Sequence, residues 1–289
     1  MRRGRGGATA GILAFAAMLA GCNWVASEPP LQGYIEGTYV SVSPEDGGKI
    51  AELAVRRGER VSAGDLLFRL SSGEQEANVA EARARVAQAE SLVAQAQSAF
   101  DAAEKSFRRA ADLQRTNVVA QANLDSAKAL HDEAQAALAA AERNLAATHA
   151  ALDLAEVRLT RRTVTAPAAG TIEETFFEPG EFVAAAQPVV SLLPDGGRKV
   201  RFYVPEARIL EFRPGTRVGI ACDGCAEGLE AEVTFVATQA EYTPPVIYSV
   251  GNREKLVFRV EARPIAAARD LAIGLPVDVR PISGGGGAG

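Results

Sequence analysis

The sequence predicts a mixed α and β chain, elongated, with an α-helical coiled-coil hairpin inserted in a split β domain and a small β-barrel domain at the C-terminal end. Three observations predict it. Residues 73–161 carry apolar heptads on two arms that match each other about a break near residues 114–120. The segments flanking those arms repeat each other at a constant offset of 122 residues. From Arg198 onward, short alternating runs separated by turn residues read as strands.

Composition agrees. The 289 residues are 47% hydrophobic but only 6% aromatic, and much of the difference is alanine, which suits long helices that pack closely. Net charge is −5 and no basic block follows the first few residues, which excludes a nucleic-acid role. The two histidines, His131 and His149, sit in no ligand-like cluster, and there is no Walker A pattern, nucleophile elbow or metal-ligand set. The sequence therefore predicts neither an enzyme nor a cofactor.

The N-terminus reads as an export signal over residues 1–21. "MRRGRGG" is a basic region and "ATAGILAFAAMLAG" a short apolar one, below the roughly 20 residues a membrane-spanning helix needs. It ends in Leu19-Ala20-Gly21-Cys22, which resembles the bacterial lipobox. That resemblance implies cleavage before Cys22, lipidation of its thiol and a periplasmic protein tethered by lipid. The inner membrane is the favoured address, although position 23 is Asn rather than the Asp commonly linked to retention there. Residues 22–33 form a linker, with Trp24 placed to sit near the headgroups.

The first half of the split domain, with a preceding barrel strand, spans 34–72. The hairpin follows. On its first arm Val79, Val86, Val93, Phe100 and Phe107 recur every seven residues, each followed three later by alanine, from Ala82 to Ala110. On its second arm Leu124, His131, Leu138, Leu145, Leu152 and Leu159 recur every seven residues, with Ala127, Ala134, Ala141, Thr148 and Ala155 three after the first five. Such sustained heptads predict a coiled coil. Folding the chain back about Asn117 sets Phe107 against Ala127, Phe100 against Ala134 and Ala96 against Leu138, so large side chains meet small ones in each layer. Arms of about 40 residues would be about 60 Å long. His131 falls opposite Ala103, as a polar layer that helps to fix register or as a metal or pH site.

After the hairpin, 162–195 forms the second half of the split domain. "GKIAELAVRRGERVSAGDLLFRL" (Gly48 to Leu70) and "GTIEETFFEPGEFVAAAQPVVSL" (Gly170 to Leu192) have identical spacing. Both halves resemble halves of the lipoyl or biotinyl carrier fold. Split by a helical hairpin, they resemble the HlyD-type periplasmic adaptor, or membrane fusion, proteins, with "TVTAPAAGTIEETFFEPGEFV" (Thr163 to Val183) the most specific match. The resemblance implies a lipoyl-like domain, a hairpin, a membrane-proximal barrel and no enzymatic activity. A true swinging-arm carrier would need a lysine on the tight turn between the halves; here the whole hairpin stands in that place.

Residues 196–283 read as the barrel and 284–289 as a flexible tail. "EYTPPVIYSVGNREKLVFRVEA" (Glu241 to Ala262) resembles the YbhG-like subgroup, usually associated with ABC-type exporters. That likeness makes Tyr242, Pro244, Pro245 and Tyr248 candidates for contact with the transporter; the alternative is a rigid strand connection stiffened by Pro-Pro. "CDGC" sets Cys222 and Cys225 on either side of an Asp-Gly turn signal. A local disulfide is the first reading in an exported protein, with free thiols or a metal as alternatives.

The resemblance also gives the break a role. In the family the hairpin tip contacts a TolC-like outer-membrane channel through an Arg, a Leu four residues on and a Ser or Thr seven after that. Here these are Arg109, Leu113 and Ala120, with Asn117 at the turn; Ala120 lacks the hydroxyl. The resemblance therefore implies a periplasmic adaptor subunit of an export system, linking an inner-membrane transporter, ABC-type favoured, to that channel. Relatives work as hexamers. The alternative is a structural envelope spacer lipoprotein without a transport partner.

Overall fold

The computed structural model describes residues 29–116, 120–242 and 256–282. The chain forms two units, Thr38–Gly197 and a second one built from β1 (Leu31–Gly37) together with the residues from Arg198 onward. Strand β1 begins at Leu31, inside the stretch read from sequence as linker.

The first unit contains β2 (Val40–Val42), β3 (Gly48–Leu53), β4 (Arg60–Val61), β5 (Leu66–Leu70), helices α1 (Gly73–Arg115) and α2 (Gln121–Thr160), then β6 (Thr163–Thr165), β7 (Gly170–Thr175), β8 (Phe182–Val183) and β9 (Val190–Pro194). Its strands make two four-stranded sheets, β2-β9-β7-β4 and β6-β5-β3-β8. An offset of 122 residues relates β3 to β7, β4 to β8 and, within two residues, β2 to β6 and β5 to β9, so each sheet holds two strands from each half and the sequence repeat has become a pseudo-two-fold axis. The hydrogen bonds obey it. Gly58 N–H donates to Ile172 and Gly180 N–H to Ile50, both at 2.8 Å; Ile172 donates to Glu59 and Ile50 to Glu181, again at 2.8 Å. Each half completes the other, so neither half has a finished sheet or core alone. Ile50 and Ile172, Val61 and Val183, and Leu70 and Leu192 occupy paired places in the buried cluster.

The hairpin emerges from the ends of β5 and β6. Arg162, just past α2, donates from Nη1 to the Gly47 carbonyl at 2.9 Å, and its own carbonyl accepts from Leu70 N–H at 2.8 Å. Gly48 leaves room for this guanidinium: a Cβ there would lie 2.7 Å from Nη1. Along the arms the heptad positions from Val93 to Ala110 and from Leu124 to Leu159 are half-buried, while Val79, Ala82, Val86 and Ala89 near the base are buried. No residue of α2 is fully buried, because two strands of a coil cover each other along a single stripe. The His131 ring lies between Phe100 and Phe107, with centroids at 5.3 and 5.4 Å, and Nδ1 is 3.1 Å from Asp132 Oδ1.

The second unit adds β10 (Arg198–Pro205), β11 (Arg217–Ala221), β12 (Leu229–Val236), β13 (Glu241–Tyr242), β14 (Leu256–Ile265) and β15 (Pro276–Pro281) to β1. The order β10-β1-β15-β11-β12-β14 closes through the β10–β14 pairing into a six-stranded barrel, with β13 added to β14. Its core is a separate cluster that includes Ile35, Phe202, Phe212, Val260 and Val279. On the outer face an ionic net joins three strands: Arg201 reaches Glu36 (2.6 Å) and Glu261 (3.0 Å), and Lys199 reaches Glu261 (2.9 Å). Cys222 and Cys225 form a disulfide in the turn between β11 and β12, and both pack against the barrel core.

Candidate docking site at the hairpin tip

Arg109 and Leu113 stand one turn apart on α1, so both side chains lie on the same helix face. Leu113 is off the a/d stripe and 45% exposed, a large apolar group left to water at the end of a long helix. Two neighbouring arginines are occupied, Arg108 by Glu104 at 2.6 Å and Arg115 by Asp112 at 3.5 Å. Arg109 has no carboxylate partner among the described residues; its Nη2 donates to Ser106 Oγ at 3.3 Å. That leaves guanidinium donors available for carbonyl or carboxylate acceptors on another molecule.

The two arms are tied at the tip by Gln114, whose amide donates to Gln121 Oε1 at 3.3 Å. Thr116 closes α1, its Oγ1 donating to the Leu113 carbonyl at 2.9 Å. Asn117 lies outside the described residues. Ala120 is the N-cap of α2, with extended backbone (φ −71°, ψ 149°) and no side-chain acceptor for the first free N–H groups of the helix. A Ser or Thr here would be an ordinary N-cap. The position thus has a local structural role that spacing alone did not disclose.

Below the tip, the side of the coil that carries Leu113 is mostly apolar, with Ser106 and Glu133 as its polar groups. A shallow groove there is lined by Ala99, Ala102, Ser106, Leu130 and Ala137, and Leu92 is exposed further down the same side of α1.

The other candidates are dispersed. Tyr242 lies in β13, paired in register with Leu256. Cys22, Pro244, Pro245 and Tyr248 lie outside the described residues. The Cys222–Cys225 turn belongs to the barrel unit, whereas Arg109, Leu113 and Ala120 belong to the other. Among the described residues no helix is long and apolar enough to cross a membrane.

The family model described as the barrel-sandwich hybrid domain of RND membrane fusion proteins matches residues 38–193. The "UPF0194 membrane protein in asrC 5'region" of Acidithiobacillus ferridurans is 32% identical over 136 residues, 47% of this chain and 40% of that protein. A UPF0194 membrane protein of Yersinia pseudotuberculosis serotype O:3 is 30% identical over 138 residues, 47% of this chain and 42% of the relative. The matched region thus spans less than half the length of these curated relatives. Among solved structures, MacA from Actinobacillus actinomycetemcomitans superposes with a TM-score of 0.71 at 21% identity, covering 86% of this chain and 76% of that one. The membrane fusion protein Spr0693 from Streptococcus pneumoniae R6 gives 0.57 at 19% identity, covering 88% and 98%. With the family model spanning both halves of the split domain and the hairpin between them, the chain belongs to the membrane fusion protein, or periplasmic adaptor, family.

Proposed function

We propose that this chain is the adaptor subunit of a multi-component export system, held to the inner membrane by lipid on Cys22. It links an inner-membrane transporter, ABC-type by resemblance to the YbhG-like subgroup, to a TolC-like outer-membrane channel. It works as several copies, six by analogy with its family, and performs no chemistry of its own. The observation that carries this reading is the tip: an exposed Leu113 and an Arg109 without a carboxylate partner, on one face, at the end of a coil about 60 Å long by the rise per residue. A rod that served as a spacer alone would need neither group there. On the transporter side, the segment containing Tyr242, Pro244, Pro245 and Tyr248 is the proposed contact.

Site-specific photo-crosslinking in whole cells tests the proposal, with probes at Arg109, Leu113 and Ala120 and a shaft control at Gln97. Capture of an outer-membrane channel from the tip positions and not from Gln97 is the expected result. A folded, abundant protein that captures no channel from any tip position would favour the spacer reading instead.

A further inference from the structure

The pseudo-two-fold axis of the split domain relates two turns that are alike in backbone and opposite in charge. The first is Arg56-Arg57-Gly58-Glu59-Arg60 and the second Glu178-Pro179-Gly180-Glu181-Phe182. Their backbones coincide in detail. Arg56 N–H donates to Glu59 Oε2 at 2.9 Å and Glu178 N–H to Glu181 Oε2 at 2.8 Å, and both glycines have positive φ, +83° and +99°. The glutamate that caps each turn is common to both. What differs is the rest: Arg56, Arg57 and Arg60 against Glu178, Pro179 and Phe182, a net charge of +2 on one turn and −2 on the other.

All six of these differing residues are exposed. Arg60 is engaged by Asp195 at 2.8 Å, which offsets one charge of the basic turn. Arg56, Arg57 and Glu178 have no ion-pair partner among the described residues. Phe182, in the place Arg60 occupies in the other half, is 72% exposed, an unusual cost for a phenylalanine on a two-residue strand.

We infer that the two turns are complementary halves of a contact between copies of this chain, the Arg56–Arg57 turn of one copy seated on the Glu178–Phe182 turn of the next. Each copy carries one turn of each kind, so a contact between unlike turns of two copies is head-to-tail. Pairing like turns would oppose charges of the same sign, which disfavours a symmetric dimer through either turn. Arg57 provides a guanidinium for the exposed face of Phe182, and Arg56 one for the Glu178 carboxylate. The inference deepens the adaptor reading, from which it takes only that copies of the chain work together.

Charge exchange tests it on the full chain in detergent micelles, with self-association measured by sedimentation velocity. Arg56→Glu with Arg57→Glu should weaken association about tenfold or more, and Glu178→Arg should weaken it similarly, because each sets like charges face to face. All three substitutions in one chain set opposite charges at positions 56 and 178 again but do not restore the Arg57 contact with Phe182, so association should recover in part, by about threefold or more over either reversal alone. Phe182→Ala should weaken it without altering its dependence on salt. These are exposed side chains, so thermal unfolding of each variant should match the parent and report that the fold is intact. An exchanged chain as weak as the single reversals, reversals without effect, or a parent chain that stays single at high concentration would each overturn the inference. The adaptor reading fails separately: channel capture at Leu113 without rescue by exchange removes this contact alone, and rescue without capture keeps the contact and removes the duct.

Discussion

Ala186 is the one place where the repeat keeps a backbone conformation but loses the residue suited to it. Its counterpart Gly64 has φ +90°, and Ala186 is held at φ +60°. Both donate N–H across the axis, Gly64 to the Ala166 carbonyl and Ala186 to the Pro44 carbonyl, each at 2.9 Å, so the conformation is imposed by the sheet partner. A Cβ in the left-handed region costs about 1–2 kcal/mol, so Ala186→Gly should stabilise the split domain by about 1 kcal/mol in denaturant unfolding. Ala120 gives a second prediction of the same size. It caps α2 without a side-chain acceptor, and the first turn of α2 has no acidic residue to offset the helix dipole. Ala120→Ser should stabilise the hairpin by about 1 kcal/mol and slow hydrogen exchange at Ala122 and Asn123, the two amides a capping hydroxyl can reach. If the same change leaves channel capture at Leu113 unaltered, the serine or threonine expected here by family resemblance acts through the helix and not through a hydroxyl contact.

At the scale of elements, the hairpin was legible because its burial follows its heptads: the positions predicted to face the other arm are the half-buried ones. The split domain was legible because identical spacing of Gly48 and Gly170, Ile50 and Ile172, and Val61 and Val183 forces identical strands. What stayed hidden depends on register between distant segments. The Glu36, Lys199, Arg201 and Glu261 net needs β1, β10 and β14 side by side, and no local pattern announces that. Arg162 fastening α2 to Gly47 spans 115 residues. The ring contacts of His131 follow from a one-turn offset between arms: opposite Ala103 there is space, and the phenylalanines on either side fill it. His131 is therefore a packing residue as well as a polar layer. His131→Ala removes both ring contacts and should destabilise the hairpin by about 1–3 kcal/mol in thermal melts followed by circular dichroism at the helix band.

At the scale of the molecule, each unit has its own buried cluster, with no residue shared. A perturbation confined to one core should therefore be felt in that unit first. Acid provides such a perturbation. Burial alone would raise the pKa of Glu261, but hydrogen bonds and charge from Lys199 and Arg201 outweigh it and hold the carboxyl below the ordinary glutamate value. A carboxylate lowered in the folded state contributes stability that is complete above its ordinary pKa and is lost as the pH falls through the lowered value. The barrel should lose this contribution on acidification through that interval, and the ion-paired carboxylates of the split domain are all more exposed than Glu261 among the described residues. Hydrogen exchange resolved by segment at neutral pH and at about pH 3, below the ordinary carboxylate range, would measure it. Amides of β10 and β14 should lose protection on acidification faster than those of β3 and β7. In Glu261→Gln the barrel should be weaker at neutral pH and the acid-dependent part of the difference should shrink. Equal loss in both units, or an unchanged acid response in Glu261→Gln, would mean that the net does not set the acid limit of the barrel.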